Sequence, residues 1–368
     1  MPGICRDTTD SAGGALIKSQ TTVLANGKEV IVHGDSITSH GDSPHDSPTM
    51  IASHTSSDNV FIGGVAVCNA GDLATCNHHA SGSGNVNVNS LGGSVTEDIS
   101  NAALVRTSTH PGSSTDNDVR DVKFNNDGTK VFVLGRANDN VYEYSVGTAW
   151  NVSSLTLVRT LDISVVSSTQ GDNAANGIEF NTDGTKMFIL GQGQDLVNEY
   201  ALSTGFDLST ASFTQSFDIS SEEDLPYGVT FNNDGTKMYI TGRRQDDVDE
   251  YVLTTGFDIS TASPSQTFSV SSQAERASAI RFNSDGTKMF VLEGGTTGEG
   301  HNTIYQYTLT TAFDVSTATY SEKSFSVLFE EDKARGFCFG DNYTKLYVVG
   351  WTGDDINQYT TADTIVGS

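Results

Sequence analysis

Residues 231–237 read Phe-Asn-Asn-Asp-Gly-Thr-Lys. The same phrase stands at 124–130, and it recurs with one letter changed at 180–186 (FNTDGTK) and 282–288 (FNSDGTK). A worn fifth copy, Phe-Gly-Asp-Asn-Tyr-Thr-Lys at 339–345, carries Asn342-Tyr343 where the others have Asp-Gly. Asp-Gly between two alternating runs supplies the positive φ of a tight hairpin turn. Asp127, Asp183, Asp234 and Asp285 therefore read as turn residues and not as catalytic acids.

Outward from these turns the apolar period is two, as in Lys-Met-Phe-Ile-Leu-Gly at 186–191, so the chain reads as all-β. The five opening phenylalanines, Phe124, Phe180, Phe231, Phe282 and Phe339, lie 56, 51, 51 and 57 residues apart. Each interval holds four strand-like segments, for example 227–231, 237–241, 248–253 and 265–270, which is one blade of a β-propeller. Phe206-Asp207, Phe257-Asp258 and Phe313-Asp314, each followed by x-Ser-Thr-Ala, mark the entry into each outermost strand. Leu104-Val105-Arg106-Thr107 repeats the outer-strand phrase Leu157-Val158-Arg159-Thr160, whereas the fifth unit ends without such a strand. The expectation is a five-bladed propeller over 103–368 closed by strand 103–109, preceded by a small domain at 1–92 and a linker at 93–102.

The formal net charge is -26, with 3 Lys/Arg against 8 Asp/Glu in residues 1–90 and 17 against 38 in the rest. Such a chain repels nucleic acid and anionic membranes. No window is long and apolar enough for a transmembrane segment, and Met1 opens no basic-then-apolar signal sequence, so synthesis in a cytosol is expected. Of the 4 cysteines, Cys76 sits in Cys-Asn-His-His, where a thiolate suits a metal, and Cys68 reads as a small core residue. Cys5 and Cys338 carry no signal.

Residues 21–35 and 58–72 are two copies of one phrase: strand, Asn26-Gly27 or Gly63-Gly64 turn, strand, then Gly34-Asp35 or Gly71-Asp72. A partial third copy runs from Gly84 to Ser90, with Val23, Val60 and Val86 at matching places. This frame resembles the PAAR-repeat family, sharp β-cones that cap the trimeric spike of contractile phage tails and type VI secretion systems. The tetrapeptide Pro-Ala-Ala-Arg itself is replaced by Glu29-Val30-Ile31-Val32 and Ala66-Val67-Cys68-Asn69. The resemblance implies a PAAR-like cone and one structural zinc (Zn2+) held by three histidines and a cysteine. Six of the 8 histidines lie between residues 33 and 79. His40, His45, Cys76 and His78 are the expected ligands, with His79 or His54 as substitutes, in the closed tetrahedron of a structural site. His33, inside the repeat phrase, is expected to be structural.

Propellers bind at the funnel where their inner strands begin. Blade alignment places Asp121, Gly177, Gly228, Ala279 and Gly336 at one inner position, small in four copies as crowding at the axis requires. One residue earlier stand Arg120, Asn176, Tyr227, Ser278 and Arg335, whose variety fits either a binding funnel or a loosely constrained solvated loop. No nucleophile elbow, phosphate-binding glycine loop or paired carboxylates stand outside the turns, so no catalytic residue and no enzyme activity are expected. The functional expectation is a structural virion protein in a phage tail baseplate: the tip that caps the central spike for host cell puncture. One copy would sit on each homotrimeric spike, with the propeller touching a host-surface glycan or protein or the baseplate. A type VI secretion tip with an effector or adaptor propeller is the first alternative. A tip-borne propeller enzyme, a lactonase or glycan lyase, is the second.

Overall fold

The computed structural model describes residues 98–110, 116–164, 174–295 and 301–361, with short strands at 16–17, 24–25, 28–29, 36–37, 61–62 and 65–66. The chain divides into two compact units, Met1–Thr96 and Glu97–Ser368. In the first, Leu24–Ala25 pairs antiparallel with Lys28–Glu29 across Asn26-Gly27, and Phe61–Ile62 with Val65–Ala66 across Gly63-Gly64. Leu16–Ile17 pairs with Ser36–Ile37. The repeat phrase thus makes hairpins at the two places its turn residues indicate. The third copy and all six candidate zinc ligands, His40, His45, His54, Cys76, His78 and His79, lie outside the described residues.

The second unit is a five-bladed β-propeller of four-stranded antiparallel sheets. Blade one comprises Val119–Phe124, Lys130–Gly135, Asn140–Thr148 and Asn151–Asp162. Blade two comprises Ala175–Phe180, Lys186–Gly191, Leu196–Leu202 and Ala211–Asp218. Blade three is Pro226–Phe231, Lys237–Gly242, Asp247–Leu253 and Ala262–Ser269. Blade four is Ala277–Phe282, Lys288–Glu293, Thr303–Leu309 and Ala318–Ser326. In blade five Ala334–Gly340, Lys345–Gly350 and Asp355–Thr360 are followed in space by Ala103–Thr109, which pairs antiparallel with Asp355–Thr360. The ring therefore closes through a strand from the opposite end of the unit, and the third strand of blade five has no bare edge.

The segment expected to be linker contributes to that closure. Asp98 caps a 3-10 turn at Ile99–Asn101 by accepting from the Ser100 amide, and Ile99 is buried. Asp207, Asp258 and Asp314 cap the same turn before the outer strands of blades two to four. Asp98-Ile99-Ser100-Asn101-Ala102 is thus a copy of the Asp-x-Ser-Thr-Ala phrase, so the closing element begins at Asp98.

The Asp-Gly-Thr-Lys phrase does more than turn the chain. Asp127 Oδ1 accepts from the Thr129 amide at 3.0 Å and its hydroxyl at 2.6 Å, and Asn125 Oδ1 accepts from the Lys130 amide at 2.9 Å. Only the glycine takes a positive φ, near 71°, because the carboxylate holds the Asp-to-Thr span in place and leaves one left-handed step. The ring of Phe206, itself at φ 56, lies across Gly184, where an added Cβ would stand 2.3 Å from its Cδ2. Trp150, Phe257 and Phe313 do the same over Gly128, Gly235 and Gly286.

The lysine ties blades together. Lys130 Nζ bonds Glu143 of its own blade at 2.7 Å and the Phe206 carbonyl of the next at 2.7 Å, while Glu143 accepts from the Leu208 amide. Lys186 with Glu199 and Lys237 with Glu250 repeat the arrangement toward Phe257 and Phe313. Gln306 and Gln358 take the carboxylate's place at the last junctions, accepting from the Ile99 and Val152 amides. These buried acceptors satisfy turn amides that the blade-to-blade packing has removed from water.

Candidate functional site

The five predicted funnel residues occupy one structural position. In every blade the pairing of the first two strands shifts register at that residue, between Val119 and Asp121, Ala175 and Gly177, Pro226 and Gly228, Ala277 and Ala279, and Ala334 and Gly336. Arg120, Asn176, Tyr227, Ser278 and Arg335 are the bulged residues. A bulge withdraws a residue from the ladder and re-aims its side chain. The next position is as crowded as expected: a Cβ on Gly228 would lie 2.8 Å from Ala279 Cα, and one on Gly336 2.5 Å from the Arg120 carbonyl.

The bulges gather positive charge at one end of the channel, hereafter the mouth. Arg120 donates to Asp118 at 2.6 Å, Arg335 to the Gly295 carbonyl at 2.9 Å, and both guanidiniums are buried with their Nε–H groups unpartnered. Arg243, just after the second strand of blade three, lies over the Tyr227 ring with its Cζ 4.2 Å from the centroid. It also bonds Ser278 Oγ through Nε at 2.9 Å and Nη2 at 2.7 Å. Burial, then Arg335, lowers the Arg243 pKa to about 9, and burial, then Arg120, lowers that of Arg335 to about 10. Burial alone would raise the Tyr227 phenol, yet Arg243, Arg120 and Arg335 hold it below its ordinary value. In a chain of net charge -26 this is a local positive field at Tyr227, offset in part by Asp118 and Glu331. Asn176 serves the neighbouring blade, donating to the Pro226 carbonyl at 2.9 Å.

Below the mouth the channel is closed by two ion pairs between blades. Asp121, the exception among small axial residues, accepts Arg281 Nη2 with both oxygens at 2.8 Å. Lys123 Nζ bonds Glu179 Oε2 at 2.6 Å, and Thr230 donates to the same oxygen at 2.9 Å. Burial would raise the Glu179 pKa, but Lys123 and Arg281 hold it below the usual carboxylate range. Cys338 completes this layer, its thiol pushed up to about 12 by burial. Sequence reading passed over Lys123, Glu179, Arg281 and Cys338. Their signal was a polar letter at an inward position of the repeat, different in each copy.

A third group of titratable residues belongs to blade three. Burial first, and repulsion from Asp247 and Asp249 after it, raises Glu223 to about 7; burial and then Asp246 raise Asp247 to about 6, and burial raises Asp249 to about 7 against the bond from Thr267. Carboxylates whose folded pKa exceeds the unfolded value stabilise the fold fully below about pH 4, and that contribution is lost as pH rises through 6 to 7. Asp249→Asn should therefore raise the thermal midpoint at pH 8 and barely change it at pH 4. Melts at both values check this, and an equal shift at both would refute it. Among the described residues no group of three or more His, Cys, Asp or Glu is placed to hold a metal ion, and no helix is long and apolar enough to cross a membrane.

Sheet order and closure define the second unit as a five-bladed propeller, and comparison with solved structures returns propeller proteins. A candidate 6-phosphogluconolactonase of Bacteroides uniformis is 15% identical over 65% of this chain and 65% of its own, with a TM-score of 0.39. A second, from Bacteroides fragilis, is 13% identical over 62% and 61%, TM-score 0.39. A luciferin-regenerating enzyme is 12% identical over 70% and 95%, TM-score 0.43. The chain thus spans just under two thirds of the lactonase-like structures. No family model and no curated protein matches it. These neighbours correct one expectation: with enzymes among the similar propellers, the reading of the chain as a non-enzyme is withdrawn.

Proposed function

We propose that the propeller is the working cargo of a two-part protein, binding a small organic anion at its arginine mouth, and that a PAAR-like segment carries it as a secretion or phage-tail tip. The observation that supports the binding reading is the convergence of Arg120, Arg243 and Arg335 around Tyr227. Guanidiniums desolvated without enough counter-charge are a standing demand for a carboxylate or phosphate, which they bind through paired N–H donors. Two unpartnered buried Nε–H groups belong to this set. The enzyme version of the cargo is favoured by Tyr227, because a phenol held below its ordinary pKa by neighbouring guanidiniums gives up its proton more readily than a free one. The carrier reading rests on the repeated hairpin phrase, and it brings with it the zinc expected at His40, His45, Cys76 and His78 and one copy per trimeric spike.

Calorimetric titration of the full chain with 6-phosphogluconate and with citrate tests the mouth. Binding of at least one anion is expected, with Arg335→Gln weakening it about tenfold or more through loss of a charge-assisted contact. The same variant should melt no lower than the parent, since an uncompensated buried charge has gone. Anion binding insensitive to both Arg335→Gln and Arg243→Gln would end the mouth reading. Elemental analysis finding no zinc in the folded full chain would end the carrier reading.

A further inference from the structure

The far end of the channel holds a second feature. Where the inner strands end, all five blades line a cavity of about 430 Å3, a volume suited to one small ligand. Its floor is the closing layer already described. Lys123, Arg281 and Thr230 are buried there, Glu179 nearly so, and the positive groups are matched by Glu179 and Asp121. The mouth has excess charge, and this floor has almost none. It offers donors and acceptors side by side in a neutral arrangement.

The wall is aromatic. Phe124, Phe180, Phe231, Phe282 and Phe339, one from each blade, line it together with Trp150. Amide side chains stand at the rim: Asn126 donates to the Thr182 carbonyl at 2.8 Å and Asn233 to that of Ser284 at 2.7 Å. Those bonds use the amide nitrogens, so the amide oxygens remain as acceptors.

One hairpin departs from the repeat, and it borders this cavity. Asp341, Asn342 and Tyr343 all take left-handed conformations, at φ 51, 53 and 63, where the other blades have a single left-handed residue, the glycine that Tyr343 replaces. Lys345, whose counterparts tie blades together, turns instead to Asp341. Asp and Asn tolerate that region, so the strain falls on Tyr343, which its surroundings hold in place through the bond from its hydroxyl to the Phe282 carbonyl at 3.0 Å. Glycine would fit the backbone better, but it would remove the Asn342 amide and the Tyr343 ring from the lining.

From this combination we infer that the cavity binds a neutral sugar ring of monosaccharide size. Its C–H faces would rest on the aromatic wall, and its hydroxyls would meet the rim amides and the charge-balanced floor. A phosphate or carboxylate would find no excess positive charge here, so the class differs from that at the mouth. The site stands independently of the anion reading, since the closing ion pairs separate the two ends.

The two tryptophans separate the ends experimentally: Trp150 lines the cavity, and Trp351 follows the second strand of blade five at the place Arg243 holds in blade three, on the mouth side. In the full chain carrying Trp351→Phe, emission therefore reports the cavity. Glucose, galactose, mannose and N-acetylglucosamine, each at millimolar concentration, are the probes, with glucose 6-phosphate as the charged control. At least one neutral sugar should shift the Trp150 emission saturably, and more strongly than the charged control. Asn342→Gly, which suits the left-handed backbone and should not lower the melting temperature, is expected to weaken binding about three- to tenfold by removing one hydrogen-bonding amide. The inference is overturned if no neutral sugar shifts the emission or if the charged control binds best. It is equally overturned if the shift persists unchanged in Asn342→Gly.

Discussion

A chain beginning at Asp116 should fail to form a monomeric propeller, whereas one beginning at Glu97 should melt cooperatively like the parent. The shorter chain lacks the outer strand of blade five, and with it the partner of Asp355–Thr360 along its whole length. It also loses Ile99, which is 1% exposed and whose amide donates to Gln306 Oε1. Removing both bares the edge of a strand whose inward residues Ile356 and Tyr359 are fully packed. Against a total stability of about 5–15 kcal/mol, losing a strand, a buried aliphatic side chain and the ring constraint together is expected to abolish the cooperative transition. An exposed edge next to apolar surface then promotes association between chains. Size-exclusion chromatography and thermal melts of the two truncations at equal concentration decide the matter. Similar melts and similar elution would show that the ring does not depend on its closing strand.

Asp121→Ala should be the most damaging single substitution in the channel. Both Asp121 oxygens accept Arg281 Nη2 at 2.8 Å, and the side chains are 3% and 5% exposed, so water screens the pair little. Removing the carboxylate leaves a guanidinium buried between blades, beside Lys123, which carries charge of the same sign. Breaking a buried pair from one side costs about 3–5 kcal/mol, equivalent to roughly 10 °C in melting temperature for a unit of this size. The double variant Asp121→Ala/Arg281→Met should recover most of that loss, because no charge is then stranded. Denaturant midpoints of the parent, single and double variants measure both steps. A single variant within about 1 kcal/mol of the parent would mean that the guanidinium finds solvent and that the channel is wetter than its geometry implies.

The two predictions differ in how far the sequence foretells them. Closure was legible because Leu104-Val105-Arg106-Thr107 copies an outer-strand phrase, and a strand's period and partner register are written into its own letters. The ion pair was not. Asp121 and Arg281 lie 160 residues apart, and each appears in its repeat copy as a single unexpected letter.

The sequence by itself determined the blade count, the strands and their turns, because these depend on chemistry within a few residues: an Asp oxygen capping a Thr, a glycine taking the left-handed step, side chains alternating about a strand. The bulged position was legible for the same reason, as a residue that varied beside a small one within a regular phrase. The tertiary structure alone decided what that position does. It put a bulge under each of Arg120, Asn176, Tyr227, Ser278 and Arg335, brought Arg243 in from a different strand, and set three guanidiniums around one phenol. It also turned Asp121, Lys123, Glu179 and Arg281 from stray charges into a neutral floor, since only the ring brings Asp121 of blade one within hydrogen-bond reach of Arg281 of blade four. Local chemistry repeats and can be read from one copy. Charge pairing across an axis depends on distances that no single repeat contains.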